Sequence, residues 1–175
     1  MKFLALTSLL FSFSCLAEVQ TINIGDFDIE YIKDEKVPRC SGGYDCKISK
    51  KEMLIYFASK SGLDIEGLGR ETVETLITNN LVESYEDFYS LTYEHLISLP
   101  QWKEKKTKNL LEAIEKSKNS EQEKLLPALG IRYVGKQTSK LLVNTFGSIK
   151  NIFDASSDEI NKIHGISESV SNSLI

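Results

Sequence analysis

Apolar residues recur at helical spacing along most of this chain, in short runs separated by tight turns. One run occupies residues 50–61, where Met53, Leu54 and Phe57 fall on one side of a helix, and residues 141–146 repeat the spacing. Residues that return every three to four positions line one helix face. The aromatic residues of segment 85–99 share such faces with Leu and Ile, so we expect them in the core. The pattern predicts a mostly α-helical fold.

A tight turn precedes each of four predicted helices. The turns occupy residues 64–70, 99–106, 129–135 and 163–167, at intervals of about 30 residues. Recurrence at a fixed period of this length is typical of repeat architectures. The sequence therefore predicts four helix-turn-helix units.

Glycines mark three of these turns: Gly67 and Gly69 in the first, Gly130 and Gly135 in the third, and Gly165 in the fourth. Glycine adopts positive φ without strain and lets another backbone come close. It also leaves the amide N–H groups at the start of the following helix open to an anionic oxygen. Only the first turn has two closely spaced glycines, so we expect the second and fourth to be degraded.

Charge is unevenly distributed along the chain. The formal net charge is −4 at pH 7, which argues against a polycation that coats nucleic acid everywhere. Residues 101–150 nevertheless contain eleven Lys or Arg against five Glu, a local net charge of +6. A basic segment inside an acidic protein is the footprint expected for phosphate contact.

A small β-hairpin is predicted before the helices. Apolar residues alternate around an Asp34-Glu35 turn within residues 19–46, which is typical of paired strands. The segment ends at Cys40 and Cys46, which flank a Gly-Gly turn like half of a structural zinc site. Half a ligand set binds zinc poorly, so we expect thiols here, or a disulfide if the chain is exported.

The first residues look like an export signal. Lys2 precedes an apolar run, and the run ends near a small-residue cleavage site at Ala17. Two interpretations stay open: a true signal peptide, or a start that is not part of the working protein. The predicted organisation is a leader over residues 1–20, the hairpin over 21–50 and a helical domain over 51–175.

Several of these stretches resemble bacterial NAD-dependent DNA ligases. Residues 39–46 resemble the second cysteine pair of that family's zinc finger. Residues 64–69, 128–135 and 146–148 resemble its tandem helix-hairpin-helix domain, and the match extends over about 29–175. The resemblance implies tandem helix-hairpin-helix repeats after a small vestigial zinc-ribbon hairpin, with the last helix cut at the C-terminus.

The departures from the family are informative. The family's finger begins with an upstream Cys-x-x-Cys pair, but the matching window, residues 22–25, contains no cysteine. The Lys-x-Asp-Gly motif of the adenylation domain occurs nowhere in the chain. We therefore expect no cofactor on this chain, since NAD would bind only in the full-length family, and no catalysis by this chain alone.

The resemblance implies binding to duplex or nicked DNA through phosphates, without reading bases, in support of nick sealing during replication and repair. Separately encoded ligase domains are a further possible partner, and the expected location is the nucleoid in the cytoplasm, with no membrane contact beyond the leader. The candidate DNA-binding residues are Gly67, Gly69, Arg70, Gly130, Arg132, Gly135, Lys136, Lys140 and Gly165.

Two alternatives stay open. The first is an exported helix-hairpin-helix DNA-uptake receptor, similar to competence proteins, which would act in the periplasm. The second is a helical protein-interaction module in which the glycine turns serve only as tight corners.

Overall fold

A computed structural model describes residues 19–24, 27–32, 39–41 and 46–175. The chain divides into two compact units, Met1–Ser49 and Lys50–Ile175. Residues 1–18 of the predicted leader lie outside the described residues, and its last two residues begin the first strand. Within the described part of the chain, no helix has both the length and the apolar character needed to cross a membrane.

The first unit contains a three-stranded antiparallel sheet in the order β1-β2-β3. Its strands are β1 (Val19–Ile24), β2 (Phe27–Ile32) and β3 (Arg39–Cys40). The predicted hairpin is the β2–β3 pair, in which Ile29 faces Cys40; its Asp34-Glu35 turn lies outside the described residues. Strand β1 was not predicted as a separate strand, although Ile22 and Ile24 alternate with polar residues in it.

Helices dominate the rest of the chain, as the apolar periodicity predicts. They are α1 (Lys47–Ala58), α2 (Arg70–Thr78), a 3-10 helix (Glu86–Ser90), α3 (Tyr93–Ile97), α4 (Glu104–Ser117), α5 (Gln122–Ala128), α6 (Lys136–Phe146), α7 (Ile149–Asp154), α8 (Ser157–Asn161) and α9 (Glu168–Leu174). The four predicted turns each join two helices. Hairpin 1 joins α1 to α2, hairpin 2 joins α3 to α4, hairpin 3 joins α5 to α6, and hairpin 4 joins α8 to α9.

All four hairpins contain the same backbone turn, at residues 65–68, 99–102, 131–134 and 163–166. In each turn the fourth residue donates its N–H to the carbonyl of the first, at 3.1–3.2 Å. The third residues have positive φ: Gly67 (+87°), Gln101 (+66°), Tyr133 (+63°) and Gly165 (+92°). Positive φ at this position is the mark of a type II turn, which favours proline at the second position, where Pro100 stands in hairpin 2.

The turn residues differ from the glycines that the sequence pointed to. Tyr133, not Gly130, is the counterpart of Gly67; Gly130 (φ +70°) instead follows the end of α5 as its left-handed cap. The backbone turns of hairpins 2 and 4 are intact, in contrast to the degraded form expected from their missing glycines. The chain tolerates Gln101 and Tyr133 where glycine is the unstrained choice.

The hairpins follow one another as a duplicated pair. Hairpins 1 and 2 are separated by the 3-10 helix, and hairpins 3 and 4 by α7. Hairpins 1 and 3 each contain a second residue with positive φ, Asp64 and Gly130, six positions before the first residue of the following helix. Hairpins 2 and 4 have no positive-φ residue at that position. The repeating unit is therefore two hairpins and a connecting helix.

Each pair of hairpins has its own hydrophobic core. The first is built around Leu68, Leu76, Phe88, Leu96 and Leu110, and the second is built from α5 to α9. The predicted core position of the aromatic segment is confirmed for Phe88, which is fully buried and stacks with Phe57, ring centroids 6.1 Å apart. Tyr85 and Tyr89 are partly buried and pack against the same core. Two separate cores explain why each pair forms a compact half of the second unit.

Helix α5 contributes to both cores. Leu125, Ala128 and Leu129, at its C-terminal end, pack in the first core, whereas Leu126 is buried in the second. Neighbouring residues on a helix point in different directions. A seven-residue helix with apolar side chains on several sides can therefore be shared between two cores.

A serine compensates for the proline inside α5. Pro127 has no N–H to donate to the carbonyl of Glu123, four residues earlier. The buried Ser139 hydroxyl donates to that carbonyl oxygen instead, at 2.7 Å. This bond ties α6 to α5 and satisfies an acceptor that the proline would otherwise leave unpaired.

Candidate nucleic-acid interface

The helices that follow the four turns begin without a capping side chain. Among the described residues, no side chain accepts a hydrogen bond at the N-caps Gly69, Lys103, Gly135 and Ser167, and the same holds for α5. In contrast, the hydroxyls of Thr92, Ser148 and Ser156 cap α3, α7 and α8. The first amide N–H groups of the hairpin helices are thus available to an external acceptor.

Gly69 and Gly135 are not needed for the fold itself. Their φ values of −71° and −89° are ordinary for any residue. A Cβ built on either glycine meets no described heavy atom within 4 Å. Serine, threonine, asparagine or aspartate is the usual N-cap, so glycine here forgoes a stabilising cap and leaves the helix start open.

Hairpin 3 has the most favourable charge for an anion. Its helix α6 has no acidic residue in the first turn, whereas Glu71, Glu104 and Glu168 stand in the first turns of α2, α4 and α9. No Asp or Glu occurs between residues 125 and 153. A negative group near a helix N-terminus competes with an incoming anion, so α6 offers the least competition.

Three candidate cations belong to hairpin 3. Lys136 and Lys140 are exposed, one helical turn apart, and within the described part of the chain neither has an acidic partner within 4 Å. Arg132 is half-buried in the turn, and its guanidinium carbon lies 4.8 Å from the centre of the Tyr133 ring. The structure therefore brings Arg132, Gly135, Lys136 and Lys140 together within one hairpin.

Tyr133 is not among the residues that the sequence predicted to bind DNA. Its ring is 54% exposed, and it occupies the positive-φ position of the turn. The sequence could have shown this position. When the apolar-x-x-apolar turns of hairpins 1 and 3 are aligned, Tyr133 corresponds to Gly67.

Arg70, the candidate cation of hairpin 1, is engaged by acidic side chains. Both terminal nitrogens of its guanidinium donate to the carboxylate of Glu52, at 2.7 Å each, and Glu74 lies 3.8 Å away. The hydrogen bond from Arg70 lowers the pKa of Glu52 below its ordinary value, so the pair stays charged near neutral pH. Arg70 is therefore less available to an external anion than Lys136 and Lys140.

A groove of about 1610 Å³ runs past hairpins 1 and 2 and along α4. Gly67 and Gly69 line it, beside the N-cap Lys103 of hairpin 2. Six of its lining residues are lysines: Lys60, Lys103, Lys105, Lys106, Lys116 and Lys124. Because Asp64, Glu66, Glu112 and Glu121 also line it, this groove is only moderately basic.

The described residues contain the two cysteines of the predicted half zinc site, Cys40 and Cys46. Cys40 is half-buried at the end of β3, and Cys46 is buried just before α1. The position of the missing cysteine pair is occupied by β1 residues such as Ile22 and Ile24, which offer no thiol. Across the described residues, no three His, Cys, Asp or Glu side chains are grouped as metal ligands. Two thiols leave a tetrahedral zinc site half built.

Comparison with known proteins places these hairpins in a recognised class. Residues 124–175, which contain hairpins 3 and 4, match the family model described as a helix-hairpin-helix motif. The chain therefore contains the helix-hairpin-helix motif within a mostly helical fold, as predicted.

The same chain is similar to the DNA ligase of Cellvibrio japonicus (strain Ueda107), with 39% identity over 138 residues. The similarity covers 79% of this chain and 20% of the ligase, so the chain corresponds to about a fifth of that relative's length. The resemblance to part of a bacterial DNA ligase, including its helix-hairpin-helix region, is confirmed.

Proposed function

We propose that this chain binds duplex DNA through its phosphates, without base preference, as the DNA-binding portion of a DNA ligase. In nick sealing during replication and repair, this chain would bind the DNA, and other domains would catalyse the reaction. No bound metal or NAD takes part in this binding.

The observation that carries this proposal is the set of open helix starts. Uncapped amide groups at a helix N-terminus bind anionic oxygens. Each hairpin repeats the same turn before such a start, so one chain offers several of them. A regular series of anionic oxygens is what a DNA backbone presents.

The proposed contacts differ between hairpins. Hairpin 3 binds most strongly, through the amide groups after Gly135 and the side chains of Lys136 and Lys140. Gly67, Gly130 and Gly165 shape the turns through their positive φ, Gly69 allows close approach, and Arg132 adds charge. Arg70 contributes less, since Glu52 neutralises it.

The same reasoning bears on specificity and location. Amides and lysines read charge and spacing rather than base edges, so binding is independent of sequence. We propose that the chain acts on the nucleoid in the cytoplasm. An exported receptor remains the alternative function, supported by the apolar run at residues 3–16.

A salt titration tests the proposal. The full chain is titrated against a fluorescent duplex, intact and nicked, at several salt concentrations. We expect affinity to fall steeply with salt, equally for unrelated sequences. The double variant Lys136→Gln/Lys140→Gln should flatten the plot of log affinity against log salt by about 1.8, or about 0.9 for each lost phosphate contact.

A matched control removes the same charge elsewhere. Lys118→Gln/Lys150→Gln changes two exposed lysines that already pair with Glu115 and Asp154, so we expect the salt slope to stay as in the original chain. Absence of binding at low salt, or equal effects of the two double variants, would refute the proposed interface.

A further inference from the structure

Tyr133 has a conformation that its residue type disfavours. Its φ is +63°, and a bulky side chain in this region is a genuine outlier. Hairpins 1 and 4 place Gly67 and Gly165 at the equivalent position and avoid the strain. A strained residue that the fold does not require points to a function for its side chain.

The position of the ring is also unusual. It is among the few exposed large apolar side chains of the described residues, and the guanidinium carbon of Arg132 lies 4.8 Å from its centre. The cation beside the ring restrains it, since a guanidinium is attracted to an aromatic face. The ring is therefore exposed to solvent at the tip of hairpin 3, two residues before Gly135, the N-cap of α6.

An anion site beside an apolar surface fits a particular partner. The start of α6 favours a phosphate, and the Tyr133 ring favours an apolar group next to it. A DNA strand alternates phosphates with deoxyribose rings. In an intact duplex the faces of the bases are stacked on one another, so the sugar is the apolar group within reach of the ring.

We propose that Tyr133 packs against a deoxyribose next to the phosphate held at the start of α6. This inference rests on the proposed DNA binding and adds to it a sugar contact, made by a residue outside the candidate set. Arg132 holds the ring in place and adds charge toward the same strand. The contact depends on the aromatic ring and not on the phenol hydroxyl.

Substitutions separate the ring from the backbone strain. Tyr133→Gly and Tyr133→Asn both remove the ring, and both residues tolerate positive φ. We expect each to bind duplex DNA about fivefold more weakly, in keeping with the contribution of a single aromatic contact. Their thermal midpoints should be unchanged or higher because strain is relieved. Tyr133→Phe should bind as the original chain does.

Gln101→Gly is the matched control, since it relieves the same strain in hairpin 2 and removes no ring. It should leave the affinity unchanged. The affinity losses of the Tyr133 variants should be equal on intact and nicked duplexes, because both present the same sugars.

Each contrary result has a distinct meaning. If the original chain does not bind DNA, the proposed function itself fails. If the chain binds and the variants Tyr133→Gly and Tyr133→Asn bind equally well, only the sugar contact is refuted. A loss confined to the nicked duplex also overturns it, since the ring would then be stacking on a base exposed at the break.

Discussion

Thr107 offers a test of the repeat as a physical unit. In each hairpin, the fourth residue of the second helix donates its N–H to the carbonyl of the N-cap residue, at 2.9–3.3 Å. These four residues are Val73, Thr107, Ser139 and Ser171, and all are fully buried. Three of them bring a hydroxyl into the core, and hydroxyls need partners there.

Only two of these hydroxyls have a partner among the described residues. Ser139 donates to the Glu123 carbonyl and Ser171 to the side chain of Asn161, both at 2.7 Å. Thr107 Oγ1 is buried with no hydrogen-bond partner there. Hairpin 1 shows the alternative, since Val73 fills the same position with a methyl group in place of the hydroxyl.

Thr107→Val should therefore stabilise the protein. An unpaired buried hydroxyl costs about 1–3 kcal/mol, and valine has nearly the same shape. We expect a gain of about 1 kcal/mol in the free energy of unfolding, which corresponds to a rise of roughly 3 °C in the thermal midpoint. Ser139→Val should cost about 1–3 kcal/mol, because it leaves the Glu123 carbonyl without its donor.

Urea unfolding followed by the fluorescence of Trp102, the only tryptophan, measures both changes. The opposite signs of the two substitutions are the essential result, since each removes the hydroxyl at the same position of the repeat. A loss of stability in Thr107→Val as large as that in Ser139→Val would refute the assignment of an unpaired hydroxyl.

Two further predictions concern single positions. Gly62→Ala should cost about 1–3 kcal/mol, because its Cβ would lie 2.3 Å from the Phe57 carbonyl oxygen and 2.5 Å from that of Tyr56. Gly69→Ala, with open space around it, is the control for thermal unfolding, and equal stability of the two variants would contradict the clash. Glu52→Gln should release Arg70 and tighten DNA binding about twofold to fivefold at low salt. Glu94→Gln removes the same charge from a residue outside the ion pairs of Arg70, and an equal gain from it would show that only net charge matters.

Local patterns in the sequence predicted much of this fold. Apolar spacing indicated the helices on either side of each turn, and the glycines located hairpins 1, 3 and 4. Hairpin 2 has no glycine, yet the Leu99-Pro100 start of its turn carries the same information, since proline fits the second position of a type II turn.

Register within the turns was harder to predict. The sequence pointed to Gly130 and Gly135 as the pair that shapes the turn of hairpin 3. The positive-φ position that repeats in all four turns is instead Tyr133, which lies between them. A glycine in the sequence indicates a position where positive φ is possible without strain. It does not indicate where another residue, such as Tyr133, adopts positive φ despite the strain. The apolar-x-x-apolar spacing of the turn is the better guide to register, because both apolar residues of every turn pack against a core, fully buried in hairpins 1 and 2 and partly buried in hairpin 4.

The residues of the candidate site were predicted correctly where the local sequence determines them and missed where distant residues determine them. Lys136 and Lys140 follow directly from the charge of their own segment. The pairing of Arg70 with Glu52 joins residues from two helices, and no local pattern reveals that a cation is already neutralised. Gly62 escaped notice because its role depends on carbonyl groups of the preceding helix rather than on a turn of its own.

The sharing of α5 determines how the protein can be divided. A cut before α5 would remove Leu125, Ala128 and Leu129 from the first core, and a cut after it would remove Leu126 from the second. The two hairpin pairs are thus not interchangeable modules that can be transplanted at a linker. A gene fusion or truncation that preserves one pair in folded form must carry this helix with it, and the other pair is then left with an open core.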